Sequence, residues 1–208
     1  MRVIFLSGVA ATGKTSIINA ILARNSIDYS AMPSITRGVY LRHNIFNETT
    51  LLNSPEDIIL SVQKDIFHTY ISKVIEFCLK SDLEGKKLVL IDRSPYDHLS
   101  YLSSKYSRLN IIPILARNSD LAHDMMELLK NYSPKIVYLP YPNSWNKQDE
   151  ISSDNFRDDG RKATLAWDEN LKSKLFGNYS IPKAVPITNL VKPDASIEER
   201  AHAICHLA

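Results

Sequence analysis

Apolar positions recur along this chain with two spacings, and the spacing changes several times. Val3 to Leu6, Lys87 to Asp92 and Lys135 to Leu139 carry unbroken apolar runs, the pattern of strands buried on both faces of a sheet. Ser16 to Ala23 instead repeats its apolar residues at helical spacing. Residues 55–80 do so over a longer span, through Ile58, Ile59, Val62, Ile66, Phe67, Tyr70, Ile71, Val74, Ile75 and Cys78, with Ser54 expected as the cap and Pro55 and Glu56 opening the first turn. Shorter signals predict a strand around Ile27 to Met32 closed by Pro33-Ser34, a helix over Asp120 to Leu129 and a strand over Val185 to Thr188. Helices are also predicted over Arg161 to Leu175, stopped at Gly177, and over Ser196 to Leu207, where Ser196 and Glu199 have capping-box spacing. Pro140 and Pro142 open a polar stretch through Asp159 that reads as a loop.

Strands alternating with helices imply an α/β protein, a parallel sheet with helices on both faces, whose ligands gather at the carboxyl ends of the strands. A length of 208 residues suits one domain spanning 1–208, with a lid expected around 141–165. Basic and acidic side chains number 25 and 23, a net charge of +2, which argues against a broad phosphate-tracking surface for duplex DNA. Cys78 and Cys205 sit in apolar helical surroundings far apart in sequence, as free thiols of a reducing compartment do. The six histidines offer no evident metal-ligand spacing, and no Cys/His cluster suggests zinc. No apolar run has the length of a membrane span, and the N-terminal run leads into a glycine turn rather than a small-residue cleavage site. A cytoplasmic protein with no membrane partner is therefore expected.

That glycine turn is the strongest chemical signal. Gly8 is followed by Gly13-Lys14-Thr15, the G-x4-G-K-S/T spacing, with the buried strand before it and a helix behind it. A glycine-rich turn lets successive backbone N–H groups face phosphate oxygens, and the helix N-terminus adds partial positive charge. Gly8, Ala10, Ala11, Thr12, Gly13, Lys14, Thr15 and Ser16 are thus the expected nucleotide-binding residues. Lys14 would reach the β- and γ-phosphates, and the Thr15 hydroxyl is a ligand type that Mg²⁺ takes in such loops. The cofactors expected are Mg²⁺ and ATP, the latter as donor by default, since no N-K-x-D motif reads guanine.

A second signal stands at the carboxyl end of the strand Leu88 to Ile91, where Asp92 would share a sheet edge with the glycine turn. Its carboxylate suits a Mg²⁺ partner, or a base taking the proton of an attacking hydroxyl, and the sequence leaves both open. Arg93 follows and can clamp a phosphate or substrate group bidentately.

Asp92-Arg93-Ser94, continuing through Asp97 and Leu99 to Tyr101, resembles the D/E-R-S/D-x-x-D-x-L-x-Y element of P-loop kinase-like proteins related to the ribosylnicotinamide kinase domain of bacterial NAD regulators, shared by many small phage kinase-like proteins. It is also similar to the D/E-R-S/Y element of deoxynucleoside and thymidylate kinases. The resemblance implies a three-layer P-loop NTPase fold with a lid and an acceptor site to which Thr36, Arg37, Gln63, Phe67, Arg93 and Asp97 contribute. In it, Gln63 would read a base edge and Phe67 would stack. Arg157 and Arg161, around Asp159-Gly160, are similar to a D-G-x-R lid motif that lacks its intervening residue, so either arginine is a candidate to reach the triphosphate.

Together these readings predict phosphotransfer from Mg-ATP to a nucleoside or nucleoside monophosphate, with Lys14, Asp92, Arg93 and a lid arginine as the catalytic set and Thr15 and Asp92 toward the metal. The second reading is a kinase of a nucleic-acid end or modified base. The third is an NTP-binding regulatory ATPase with a protein partner. Oligomeric state stays open, a homodimer included.

Overall fold

The computed structural model describes residues 1–9, 12–24, 27–46, 48–141, 161–177, 187–188 and 195–207. Strands β1 (Arg2–Ser7), β2 (Tyr29–Met32), β3 (Leu88–Asp92), β4 (Lys135–Tyr138) and β5 (Ile187–Thr188) form one sheet in the order β2-β3-β1-β4-β5, every pair parallel. The apolar runs thus occupy the three middle positions, where both faces are covered. Leu6 lies opposite Asp92 in the β1–β3 register, so the end of the strand that feeds the glycine turn meets the end of the strand that carries the acid.

Alternation along β1 sorts two cores. Val3 and Phe5 point to one face, where they join Val89, Ile91, Phe67, Tyr70 and Trp167 from α4 (Glu56–Leu83) and α7 (Arg161–Phe176), together with α5 (Pro95–Lys105) and α6 (Ile112–Leu128). Ile4 and Leu6 point to the other, against Ile17 and Ile21 of α1 (Lys14–Arg24) and Ala201 and Ile204 of α8 (Ile197–Leu207). Helices on both sheet faces make three layers. Each fully buried Leu, Ile or Phe contributes roughly 1.5–3 kcal/mol over its exposed state, so these faces fix the sheet register.

A third core has no sheet in it. Its 28 residues make α4 about 42 Å long, whereas a five-residue strand spans about 17 Å, so the helix overshoots the sheet. It leads into β3 at the amino edge, which places its first turns beyond the carboxyl edge. There Ile59, Val62 and Ile66 pack with Val39 and Tyr40 of α2 (Thr36–Arg42), Leu51 of α3 (Glu48–Leu52), Leu102 of α5 and Ile114 of α6. The carboxyl edge is therefore roofed on one side by a small apolar subassembly.

Two expectations need correction. The helix expected over Asp120 to Leu129 begins eight residues earlier, at Ile112, because Pro113 stands in its first turn, where a missing N–H costs nothing. Ser54 does not cap α4. Pro55 holds the cap position, and the Ser54 hydroxyl donates to the Thr50 carbonyl at 2.9 Å, closing α3 instead. Thr36-Arg37 lies in the first turn of α2. The capping box at the last helix is present as read: Ser196 N–H donates to Glu199 at 2.7 Å and Glu199 N–H to the Ser196 hydroxyl at 3.2 Å. Among the described residues no helix is long and apolar enough to cross a membrane.

Candidate functional site

The glycine turn is shaped by what its glycines exclude. A Cβ on Gly8 would stand 2.6 Å from the Leu139 carbonyl oxygen and 2.9 Å from the Thr12 hydroxyl, so only glycine lets the end of β1 run so close to the chain leaving β4. Gly13 has φ +82° and packs its bare Cα toward Ile197 of α8, where a Cβ would approach within 3.0 Å. Lys14 curls back over the loop, donating to the carbonyls of Gly8 at 2.7 Å and Val9 at 2.6 Å and to the Thr12 hydroxyl at 3.1 Å. Thr15 and Ser16 are exposed in the first turn of α1. Ala10 and Ala11 lie outside the described residues.

Across the strand pair, the Thr15 hydroxyl donates to Asp92 Oδ2 at 3.2 Å. The other oxygen of that carboxylate, Oδ1, is buried and has no hydrogen-bond partner among the described residues. A buried anionic oxygen without a donor is costly unless something cationic or protic completes it. A hydroxyl and a half-satisfied carboxylate are hard oxygen donors of the sort that Mg²⁺ takes in ones and twos beside phosphates and water. The donor set therefore fits a Mg-nucleotide, with Thr15 and Asp92 as its protein side.

Arg93 adopts φ +85°, a conformation that costs a non-glycine residue on the order of 1–3 kcal/mol and persists where the surroundings enforce it. Those surroundings are specific. Its N–H donates to the Leu6 carbonyl at 3.0 Å, and its own carbonyl accepts from the Tyr70 hydroxyl at 2.7 Å. The twist turns the guanidinium back over the loop, where Nη1 lies 3.5 Å from the Gly8 carbonyl, the same oxygen that holds Lys14. Trp167 of α7 supports it from one face, 5.2 Å from ring centroid to guanidinium carbon, and is itself fixed by a 2.8 Å bond from its indole N–H to the Ser100 hydroxyl. Two cationic heads thus converge on one carbonyl at the mouth of the loop.

Asp97 corrects an expectation. Read as a substrate contact, it is fully buried, and its carboxylate accepts from the Ser7 hydroxyl at 2.7 Å, Gly8 N–H at 2.9 Å, Ser94 N–H at 2.8 Å and the Ser94 hydroxyl at 2.6 Å. Ser94 and Asp97 form the reciprocal box that starts α5. One side chain therefore caps a helix, pins the first residue of the glycine turn and sits 3.8 Å from Arg93 Nη1. Spacing alone shows the box; the tie to Ser7 and Gly8 joins residues about ninety positions apart and had no signal in the sequence.

The other predicted acceptor residues spread over the roof. Gln63 is buried with its Nε2 lacking a partner among the described residues. Phe67, expected to stack on a ligand, is only 1% exposed and presents its edge to His98, ring centroids 6.2 Å apart, so it serves the core. His98 packs also on Tyr70, and burial followed by the nearby Arg93 charge lowers its pKa to about 3, which keeps it neutral. Thr36 is half-buried and Arg37 exposed at the start of α2. Arg42, at the end of α2, is engaged with Asp65 at 3.3 Å and the Thr69 hydroxyl at 3.0 Å. The His43 hydrogen bond, with help from Thr69 and Arg42, outweighs desolvation and holds the Asp65 carboxyl below its usual range. Arg157 lies outside the described residues, and Arg161 is described only as the first residue of α7.

A residue that sequence reasoning missed is Arg200. Buried in α8, it donates through Nη1 to the Thr12 carbonyl and through Nε to the Ala195 carbonyl, both at 2.9 Å, and so braces the glycine turn from behind. An arginine on a terminal helix carries no pattern that announces this.

No family model and no curated protein sequence matches the chain. Among solved structures it is similar to shikimate kinase from Acinetobacter baumannii in complex with shikimate, at 14% identity and a TM-score of 0.52, over 100% of this chain and 92% of that one. The likeness shows the fold alone, a parallel α/β sheet between helices with the P-loop arrangement, and leaves the chemistry to the residues described above.

Proposed function

We propose that this protein is an ATP-dependent phosphotransferase acting on a small molecule, a nucleoside or nucleoside monophosphate. The observation that carries the reading is the Thr15–Asp92 hydrogen bond with Asp92 Oδ1 buried and unpartnered, beside Lys14 and Arg93 turned to one carbonyl. When bound, Mg²⁺ would supply charge neutralisation at the phosphates, with Thr15 and Asp92 on its protein side.

This chain's own residues then divide the task. Lys14 and Arg93 release the Gly8 carbonyl to meet phosphate oxygens, which bind them more strongly than a neutral acceptor does. Phosphate entering the loop would thus exchange internal contacts for charge-assisted ones. Asp92 orients the acceptor hydroxyl and takes its proton as the oxygen bonds to the γ-phosphorus. The bond from that phosphorus to the β–γ bridging oxygen breaks, and ADP leaves. Gln63 offers an unsatisfied amide N–H to a carbonyl of the acceptor, which favours a nucleobase over a plain polyol. Small-molecule acceptance is also in keeping with the neighbouring fold, named for shikimate and solved with it.

The test is Mg-ATP consumption with and without nucleosides, deoxynucleosides, their monophosphates, nicotinamide riboside and DNA oligonucleotides. Turnover that requires one of the small acceptors is the expected outcome. Turnover blind to every acceptor would overturn the reading in favour of a regulatory ATPase, and dependence on oligonucleotides would move the acceptor to a nucleic-acid end.

A further inference from the structure

The far end of α8 carries a feature outside the phosphate site. His202 and His206 are four residues apart, both exposed, with their Nε2 atoms 2.9 Å from each other and their rings crossed at 89°, centroids 4.3 Å apart. We propose that this pair is a bidentate site for a first-row divalent transition-metal ion of the Ni²⁺ or Cu²⁺ type, held at the last turn of α8.

The geometry favours a chelate over a simple hydrogen bond. Two neutral imidazoles can share only one proton between facing nitrogens, and such a bond in water is worth about 1 kcal/mol at most. Both side chains nevertheless bring the same ring atom, Nε2, to within 2.9 Å of its counterpart. Imidazole nitrogens lie about 2.0–2.1 Å from a bound ion, so two of them 2.9 Å apart subtend about 90° at it. That is the cis angle of octahedral and square-planar coordination rather than the wider tetrahedral angle, which selects Ni²⁺ and Cu²⁺ over Zn²⁺, in the same sense as the intrinsic affinity order of Ni²⁺ and Cu²⁺ for nitrogen donors.

Neighbouring groups define the site's limits. Glu198, one turn before His202, is paired with Arg24, and Glu199 is the partner of Ser196 in the capping box. Cys205 is half-buried and packs into the second core. Among the described residues no group of three ligating side chains comes together, so water completes the coordination and binding is exchangeable. Arg2 and Lys135 both donate to the Leu207 carbonyl, which places this turn at the amino edge of the sheet, opposite the Thr15–Asp92 pair. A soft-nitrogen site for transition metals and a hard-oxygen site for Mg²⁺ thereby occupy opposite ends of the molecule.

The experiment is calorimetric titration of the untagged full chain with Ni²⁺, Zn²⁺ and Mg²⁺, repeated on His202→Ala, His206→Ala and the control His123→Ala. Expected are one Ni²⁺ per chain, Zn²⁺ weaker, no Mg²⁺ binding here, and a loss of at least tenfold in Ni²⁺ affinity in either α8 variant but not in the control. A rise in melting temperature with Ni²⁺ should vanish in the same two variants, since an ion that binds only the folded helix stabilises it. No Ni²⁺ binding by the parent chain, or binding that survives both α8 substitutions, would overturn the site. Zn²⁺ binding tighter than Ni²⁺ would overturn its geometry. None of these outcomes depends on phosphotransfer.

Discussion

On the P-loop side the groups that shape the glycine turn are held by other parts of the protein and Asp92 Oδ1 is left open at the metal side, whereas on the α2–α4 side the open group among the described residues is the buried amide nitrogen of Gln63. Gly8, Thr12 and Lys14 are tied to one another, to Asp97 of α5 and to Arg200 of α8. The roof is mainly apolar contact of α2 and α3 with the first turns of α4, with Arg42 and His43 tied to Asp65, and is edged by exposed Leu41, Phe46, Leu52 and Ile58. A rigid cradle suits a ligand that is always the same, a triphosphate. A roof set by a few side chains suits the half of a reaction that differs from one kinase to the next.

If the two sides divide the work in this way, substitutions should separate them. The largest effect belongs to Lys14→Ala, which should reduce acceptor-dependent turnover by roughly 10³-fold or more while leaving the circular dichroism spectrum unchanged. Retained turnover would sever the glycine turn from the chemistry. Asp97→Asn comes next. Its amide would present a donor to the Ser94 N–H or the Gly8 N–H, both of which donate to the native carboxylate, leaving a buried polar group unsatisfied at a cost of about 2–3 kcal/mol. Because the loop and the Arg93 turn would then drift apart, kcat should fall by about 10²-fold, beyond what the loss of stability explains at temperatures where the variant is folded. An unchanged kcat in a folded Asp97→Asn protein would reduce this residue to a helix cap.

Gln63→Leu probes the other side and should be milder. Removing an amide whose buried nitrogen lacks a partner among the described residues should leave stability unchanged or raise it, while the acceptor KM rises about tenfold, the loss of one hydrogen bond of about 1.4 kcal/mol. The KM for ATP should stay constant. A fall in melting temperature with no change in acceptor KM would make Gln63 a structural residue and erase the contrast between the two sides.

That contrast also explains which parts were legible beforehand. The glycine turn is written in backbone requirements: Gly8 because a Cβ has no room, Gly13 because φ is positive, and such requirements leave a fixed spacing in sequence. The buried strands were readable because a parallel sheet demands continuous apolar runs. The roof was not, since α2 and α3 are seven and five residues long, too short for a period to show, and are held by packing against the overshooting first turns of α4. Phe67 misled for a related reason: aromatic residues at helical spacing look the same whether they line a pocket or fill a core. The anchoring roles of Asp97 and Arg200 depend on partners about 90 and 188 positions away, which no local pattern encodes.

The smallest expected effect isolates the strain at the junction of the two sides. At φ +85°, Arg93 sits where glycine is at ease and alanine is not. Arg93→Gly and Arg93→Ala both remove the guanidinium from the Gly8 carbonyl and from Trp167, so they should lose turnover to the same extent. They differ only in backbone cost. Glycine relieves roughly 1–2 kcal/mol of left-handed strain but gives back part of it through the greater freedom of its unfolded chain, so Arg93→Gly should be the more stable by about 1 kcal/mol in denaturant unfolding. If alanine proves equally stable, the turn relaxes without its arginine, and the conformation is imposed by the side chain's grip on the loop. If glycine is the more stable, the Leu6 and Tyr70 hydrogen bonds impose it, and the arginine is aimed at the P-loop by a backbone strained in advance of any substrate.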